Sequence, residues 1–365
     1  MWGIDRRVVQ NFDWTLFGLV FTVVAIGIVN LVSSTHSGAG LSDDVRRQLL
    51  SLGVGFAALL ATVSIDYRHF ERFAVPLFVL SLLLLGATLL LAPVNRGSQS
   101  WLFGGRFQPS ELAKITLVLM LARFFQRNPP GEIRRVRDLV RPLGIAALPV
   151  SLIVLQRDAG VALLTVLVAS TYLAFVRIPW RGWAGVALLG VAAFAAMWTF
   201  LLAPYQQSRI LDVVDPGRDP LASGYQVIQS RIAVGSGGLL GKGWVEGTQS
   251  QLRFLPTQHT DFAFSVLAEE WGFVGSVAVL AIYALMLLWG LLIARNSKDA
   301  FGAMLAVGVV GILFWPAVLN IGMVLGLLPV IGVPLPLFAF GGSALVTSLI
   351  AVGLLMNVSL RRYVF

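Results

Sequence analysis

Two stretches of an otherwise apolar chain carry side chains able to hold charge where chemistry can use it. The first reads Arg106-Phe107-Gln108-Pro109-Ser110-Glu111-Leu112-Ala113-Lys114. Pro109 and Ser110 start a helix, and Glu111 and Lys114 stand three apart, so acid and base share one face of its first turn. Ionisable groups inside an apolar span are costly unless they pair or face a wet cavity. The pair is therefore either part of a site or a structural ion pair that fixes packing, and the residues alone leave both open. The second stretch runs from Gly247 and ends Arg253-Phe254-Leu255-Pro256-Thr257-Gln258-His259-Thr260-Asp261 before another apolar run. Asp261 at a helix start is favoured as a cap and by the helix dipole. Asn or Ser would cap as well without a full charge, so the concentration of Arg253, His259, Thr260 and Asp261 favours a site. A third stretch holds Asn320, Gly322, Gly326, Pro329, Gly332, Pro334, Pro336 and Gly341-Gly342-Ser343. Its glycines and prolines predict a loop or broken helix that shapes a groove without doing chemistry.

Other chemistries are excluded by inventory. There is no cysteine, hence no disulfide, thiolate metal site or cysteine nucleophile. His36, His69 and His259 are scattered, and no His-Glu-x-x-His pattern, Walker loop or nucleophile elbow occurs.

The elements that must position these residues are membrane helices. Of 365 residues, 57% are hydrophobic and 12% charged, and the charges cluster between long apolar runs. One water-soluble core cannot hide that much apolar surface, whereas a bilayer accepts it. Windows long enough to cross a bilayer fall near 14–34, 47–64, 73–93, 111–126, 142–156, 160–176, 183–203, 262–294, 301–328 and 338–360. The fold class expected is an all-α integral membrane protein of about ten transmembrane helices, forming one polytopic domain over 1–365. The break from Gln156 to Gly160 is short, so a re-entrant hairpin is an alternative there. The apolar run from Trp14, behind Arg6 and Arg7, is too long for a signal peptide and reads as a retained first helix.

Cytoplasmic loops are enriched in Lys and Arg. With both termini cytoplasmic, the inner segments take Arg6, Arg7, Arg68, Arg72, the cluster from Arg123 to Arg141, Arg177, Arg181, Arg295, Lys298, Arg361 and Arg362, the larger share of the 27 basic residues. The formal charge of +9 thus follows from topology and not from nucleic-acid binding. The one long connection, 204–261 between helices 7 and 8, lies outside, and long ordered loops tend to be functional. Within it Tyr225, Ile228 and Ile232 recur at helical spacing up to Gly235, which predicts a short interfacial helix. Its basic residues (Arg209, Arg218, Arg231, Lys242, Arg253) are matched by Asp212, Asp215, Asp219, Glu246 and Asp261, as suits a surface for a polar group. No internal repeat of the transporter kind is evident.

Across nearly its whole length the chain resembles the SEDS family (shape, elongation, division and sporulation), the ten-span glycosyltransferases of bacterial cell-wall synthesis. The carriers are Gln108 to Lys114, Tyr205-Gln206-Gln207-Ser208-Arg209, Gly224-Tyr225 with Gln229-Ser230, the run from Gly247 to Gly275, and Asn320 to Ser343. Gly247-Thr248-Gln249-Ser250-Gln251 and Glu269-Glu270-Trp271-Gly272 are more similar to the elongation members than to the division members. Departures from the family pattern fall at Ser100, Arg157, Pro316 and Ala339-Phe340.

The resemblance implies polymerisation of lipid II, an undecaprenyl-linked substrate, at the outer face of the bacterial cytoplasmic membrane, beside a class B penicillin-binding protein. A sugar hydroxyl must then lose a proton while a pyrophosphate leaves, which calls for a base and for cations or a divalent metal ion. Asp261 is the expected base. Trp101, Arg106, Gln108, Ser110, Glu111, Lys114, Arg209, Gln229, Gln249, Gln251, Arg253, His259 and Thr260 are the expected substrate-binding set, with Arg209, Arg253 or Lys114 near the pyrophosphate. Two rival readings remain, a lipid II flippase and a non-catalytic scaffold for the penicillin-binding protein; neither needs a carboxylate at position 261.

Overall fold

The structure, a computed structural model, describes residues 12–36, 40–93, 98–105, 107–200, 202–215, 217 and 224–362. Arg6, Arg7, Arg106, Arg218 and Asp219 lie outside the described residues. The described chain is almost wholly helical: α1 (Trp14–Ser34), α2 (Asp43–Ser64), α3 (Tyr67–Leu91), α4 (Pro109–Arg127), α5 (Val140–Leu155), α6 (Ala159–Ser170), α7 (Trp180–Phe200), α8 (Pro204–Val214), α9 (Tyr225–Ser236), α10 (Thr248–Gln251), α11 (Ala263–Arg295), α12 (Ala300–Val324) and α13 (Gly342–Arg361). Local sequence sets where many of them begin. The side chains of Asp13, Ser42, Asp66, Asp158 and Asp299 each accept a hydrogen bond from the first turn of α1, α2, α3, α6 and α12. Pro109 opens α4, where its missing N–H costs nothing.

Among the described residues, eight helices are long and apolar enough to cross a membrane: α1, α2, α3, α5 with its preceding turn, α7, α11, α12 and α13. The other two expected spans fall on α4, which carries Glu111, Lys114, Arg123 and Arg127, and on α6. α6 is continued by the 3-10 turn Thr171–Phe175. At about 1.5 Å per α-helical and 2.0 Å per 3-10 residue the two cover roughly 28 Å, close to a hydrocarbon thickness of about 30 Å. At Gln156 to Asp158 the chain turns between α5 and α6, and Arg157 takes a φ of 59°. The core lies among α4, α12 and α13, which are buried on most of their faces, while α7 has no buried residue.

The expected span 262–294 is two helices in one. Gly272 adopts φ 66°, ψ −162°, inside α11, which breaks the ladder there. The freed groups do not go unpaired. The N–H groups of Phe273 and Val274 donate to the carbonyls of Gly238 and Leu239 (2.9 and 3.1 Å), and those of Lys242 and Gly243 donate to the carbonyls of Glu269 and Glu270 (both 3.1 Å). The 237–243 loop is thus zipped into the break and held against α11. A Cβ on Gly272 would meet Gly241 N at 2.3 Å and Leu239 O at 2.7 Å in a backbone conformation hostile to side chains. Gly272→Ala is expected to cost about 2–5 kcal/mol. The measurements are a lowered thermal midpoint in detergent and faster proteolysis within 237–243; an unchanged midpoint would show that the loop does not depend on the break.

The short helix expected within the long loop is present as α9, but its inward face differs. Val227, Ser230 and Ala233 are buried, whereas Ile232 is exposed and Tyr225 and Ile228 are only half-buried. Small residues face inward because α9 lies close to α11 and α12: Ser230 Oγ meets Ser265 Oγ at 2.9 Å and donates to the Val324 carbonyl at 2.7 Å. Arg231 donates to the Gly326 carbonyl at 2.8 Å, a cation just beyond the C-terminus of α12.

Candidate active site

One end of the bundle gathers the starts of α4, α6, α11 and α13 and the ends of α1 and α12. Hydrogen bonds tie them together. Gln108 N donates to Ser343 Oγ (3.3 Å), Phe340 N to the His259 carbonyl (3.0 Å), and Asn30 Nδ2 to the Ala263 carbonyl (2.9 Å). The 325–341 segment between α12 and α13 runs through this end, with Val330, Val333, Leu335, Leu337, Phe338 and Ala339 buried. Expected only to shape a groove, it is the frame on which two polar clusters hang.

The first cluster stands at the head of α4. Lys114 Nζ donates to Glu111 Oε1 at 2.8 Å, with side chains 5 and 10% exposed. Gln108 Nε2 reaches Asp158 Oδ2 at 3.4 Å, and Asp158 Oδ1 caps α6 by accepting from Val161 N at 3.2 Å. Burial raises the Asp158 carboxyl above its ordinary range, while hydrogen bonds from Val161 and Ser100 and the charge of Lys114 pull it down. Ser110 is buried in the same turn. The loop carrying Trp101, itself half-buried, is tied to the α5–α6 turn by Gln99 N donating to the Gln156 carbonyl at 3.0 Å.

The second cluster surrounds Asp261. The N–H groups of Thr260, Asp261 and Phe262 all converge on the Thr257 carbonyl, at 3.1, 3.1 and 3.4 Å. The next helix begins at Ala263 with Phe262 as its cap residue and no side-chain cap bond. The N-cap residue of α11 is thus Phe262, one position after Asp261. The Asp261 Oδ2 faces Gly332, whose φ of 75° and lack of a side chain leave the approach open; a Cβ there would sit 3.5 Å from that oxygen. Two residues back, the Val330 carbonyl accepts from Arg209 Nη1 of α8 at 3.3 Å. Beside it Ile331 packs on Gly160 of α6, two residues beyond Asp158. The 330–332 stretch thus separates the two clusters by a single strand of backbone.

A third set organises the loop. The buried Glu269 carboxylate accepts from Lys242 Nζ (2.7 Å), Gln249 N (2.9 Å), Ser250 N (3.2 Å) and Thr248 Oγ1 (3.3 Å). Four donors on one carboxylate hold α10 in place without leaving a buried charge unpaired. Gln251 Nε2 donates to the Ser33 carbonyl at 3.2 Å. Among the described residues no three His, Asp or Glu side chains gather as a metal cage.

The model of the FtsW/RodA/SpoVE family, described as cell cycle protein, matches residues 9–363. The chain belongs to this family. It is 40% identical over 357 residues to the peptidoglycan glycosyltransferase MrdB of Escherichia coli K12, covering 96% of this chain and 94% of the relative. Its fold is similar to that of a chain in a peptidoglycan synthase complex that coordinates polymerisation and crosslinking (TM-score 0.83, 35% identity, 97% and 99% of the two chains). It is similar also to the rod shape determining protein RodA of Thermus thermophilus (TM-score 0.72, 31% identity, 96% and 98%). The SEDS resemblance read from the residues holds, and the chain is a multi-pass membrane protein.

Within this family member, the structure brings Gln108, Ser110, Glu111 and Lys114 to one cluster and His259, Thr260 and Asp261 to the other, with Arg209 of α8 bonded to the intervening segment. Gln249 and Gln251 are held by Glu269 and Ser33, Gln229 is half-buried on α9, and Arg253 is exposed on a turn with φ 57°. Asp158, Glu269 and Gly332 join the site without having been singled out by local spacing. His259 is half-buried, and burial holds its imidazole below the ordinary range while the charge of Asp44 pulls it up. The folded state prefers the neutral ring, so this stability is in place above about pH 6.5 and lost as pH falls through the lower folded value. The thermal midpoint is expected to drop a few degrees from pH 7 to 5, and His259→Gln to flatten that slope; equal slopes in both proteins would refute the assignment.

Proposed function

We propose that this family member is a peptidoglycan glycosyltransferase of cell elongation that polymerises lipid II at the outer face of the bacterial cytoplasmic membrane, with both termini cytoplasmic. The observation that carries the reading is the placement of Asp261: backbone bonds hold the residue just ahead of α11, and its Oδ2 is turned toward Gly332, which has no side chain. In the reaction a sugar 4-hydroxyl attacks the anomeric carbon of the donor. The new C–O bond forms as the bond to undecaprenyl pyrophosphate breaks, and Asp261 accepts the hydroxyl proton. Negative charge grows on the departing pyrophosphate, and Arg209, anchored to the same segment that faces Asp261, offsets it. The starts of four helices at this end add partial positive charge. A divalent cation held by one carboxylate and the pyrophosphate itself would need no protein cage.

The single polytopic domain carries its catalytic region in the 204–261 loop and the adjoining 330–343 segment. A class B penicillin-binding protein is the partner that cross-links the product strands. The test is glycan formation from purified lipid II by the purified chain with its cognate class B partner. Polymer resolved on a gel supports the reading; a silent protein that moves lipid II between leaflets supports the flippase instead.

A further inference from the structure

We infer that Asn320 is a positioning residue for Asp261, clamping the proposed base to the wall it faces. Asn320 lies near the end of α12 and is fully buried. Its one amide nitrogen donates twice, to the Asp261 carbonyl and to the Val333 carbonyl, both at 2.8 Å. Val333 comes directly after Gly332, the residue opposite the Asp261 carboxylate. Both sides of the Asp261 opening are therefore fastened to one side chain, and its two N–H bonds set how far apart they stand.

Packing alone does not account for the choice. The Asn320 Oδ1 is buried with no hydrogen-bond partner among the described residues. A buried unpaired acceptor is unfavourable, and an apolar residue of similar size would avoid it. What only an amide supplies here is two donors from one atom to two carbonyls on different segments. Asp261 has a firm turn of its own on the Thr257 carbonyl, but that turn does not relate it to Gly332. Asn320 does. Loss of the clamp lets the opening widen, and a displacement of about 1 Å at a reacting group costs on the order of 100-fold in rate.

The inference rests on Asp261 being the base, and its test separates the two. Asn320→Ala and the equal-sized Asn320→Asp, which lacks both donors when ionised, are assayed with lipid II and the class B partner. Asn357→Ala is the matched control: Asn357 is likewise fully buried and its amide donates to the Thr62 and Ile65 carbonyls, but at the opposite end of the bundle. The expected result is a kcat about 10- to 100-fold lower in both Asn320 variants, with KM changed less than about two-fold and a shifted acidic limb of the pH profile. Asn357→Ala is expected to lose activity only in proportion to its folded fraction. Asn320→Ala should add little in an Asp261→Asn background, because residues acting as one unit are not additive. Wild-type kcat in the Asn320 variants, a loss no greater per folded molecule than in Asn357→Ala, or failure of both variants to fold overturns the inference while leaving the base assignment intact. Normal polymerisation by Asp261→Asn overturns both.

Discussion

Asp261→Asn is expected to fold, bind its partner and lower the rate of glycan formation by about 10²- to 10⁴-fold, the range a general base contributes. The fold should survive because Phe262 is the N-cap residue of α11 and backbone bonds place residue 261. Asn320 and Thr257 hold residue 261 through its backbone carbonyl and N–H, which an Asn retains. The start of α11 is at Ala263, without a side-chain cap bond. The thermal midpoint should therefore stay within a few degrees of wild type while polymer disappears from the gel. Asp261→Glu gives an intermediate loss, since one extra methylene drives the carboxylate toward Gly332, and Asp261 Oδ2 is already 3.5 Å from where a Cβ on Gly332 would sit. Normal polymer from Asp261→Asn would place the base elsewhere and reopen the flippase and scaffold readings.

How much of this could be read without coordinates depends on the range of each interaction. Helix positions follow from apolar runs, and α1, α4, α9 and α13 lie close to where hydropathy and spacing put them, because those signals are local. The Glu111 and Lys114 pair is legible for the same reason: three residues apart on a helix means one face. The break in α11 is not, since a lone glycine in an apolar run reads the same whether it is tolerated in the helix or bent out of it. Its cause is the 237–243 loop, and a contact between distant segments has no local pattern. Asp261 as a cap misplaces the helix start by one residue, within the uncertainty of any boundary read from sequence. The pairings that assemble the site lie further still beyond local reading. Asn320 and Asp261 are 59 residues apart, and Gln108 and Ser343 are 235 apart. Composition marks 320–343 as irregular; only the three-dimensional arrangement makes it the wall shared by both clusters.

The second large effect concerns the ion pair at the head of α4. Glu111→Gln leaves the Lys114 ammonium buried without its partner, and Lys114→Met does the same to the carboxylate; each is expected to cost about 3–5 kcal/mol. That is a large part of the roughly 5–15 kcal/mol by which folded proteins are stable. Both single variants should show a much lower thermal midpoint and little activity, a result that does not distinguish a packing role from a functional one. The double variant Glu111→Gln with Lys114→Met does. With both charges gone, no unpaired ion remains, and replacing a buried pair by neutral groups of similar volume is often neutral in stability. The midpoint is therefore expected to recover most of the single-variant loss. Activity is expected to stay at least about 100-fold down, because the pair does not stand alone: Gln108 and Asp158 adjoin it, and the Lys114 charge acts on the Asp158 carboxyl. The double variant removes two opposed charges that act on the Asp158 carboxyl and strips the cluster of a buried cation. A double variant that regains both stability and polymer formation would make the pair a packing element, and the substrate contacts would then fall to Arg209 and the Asp261 cluster alone.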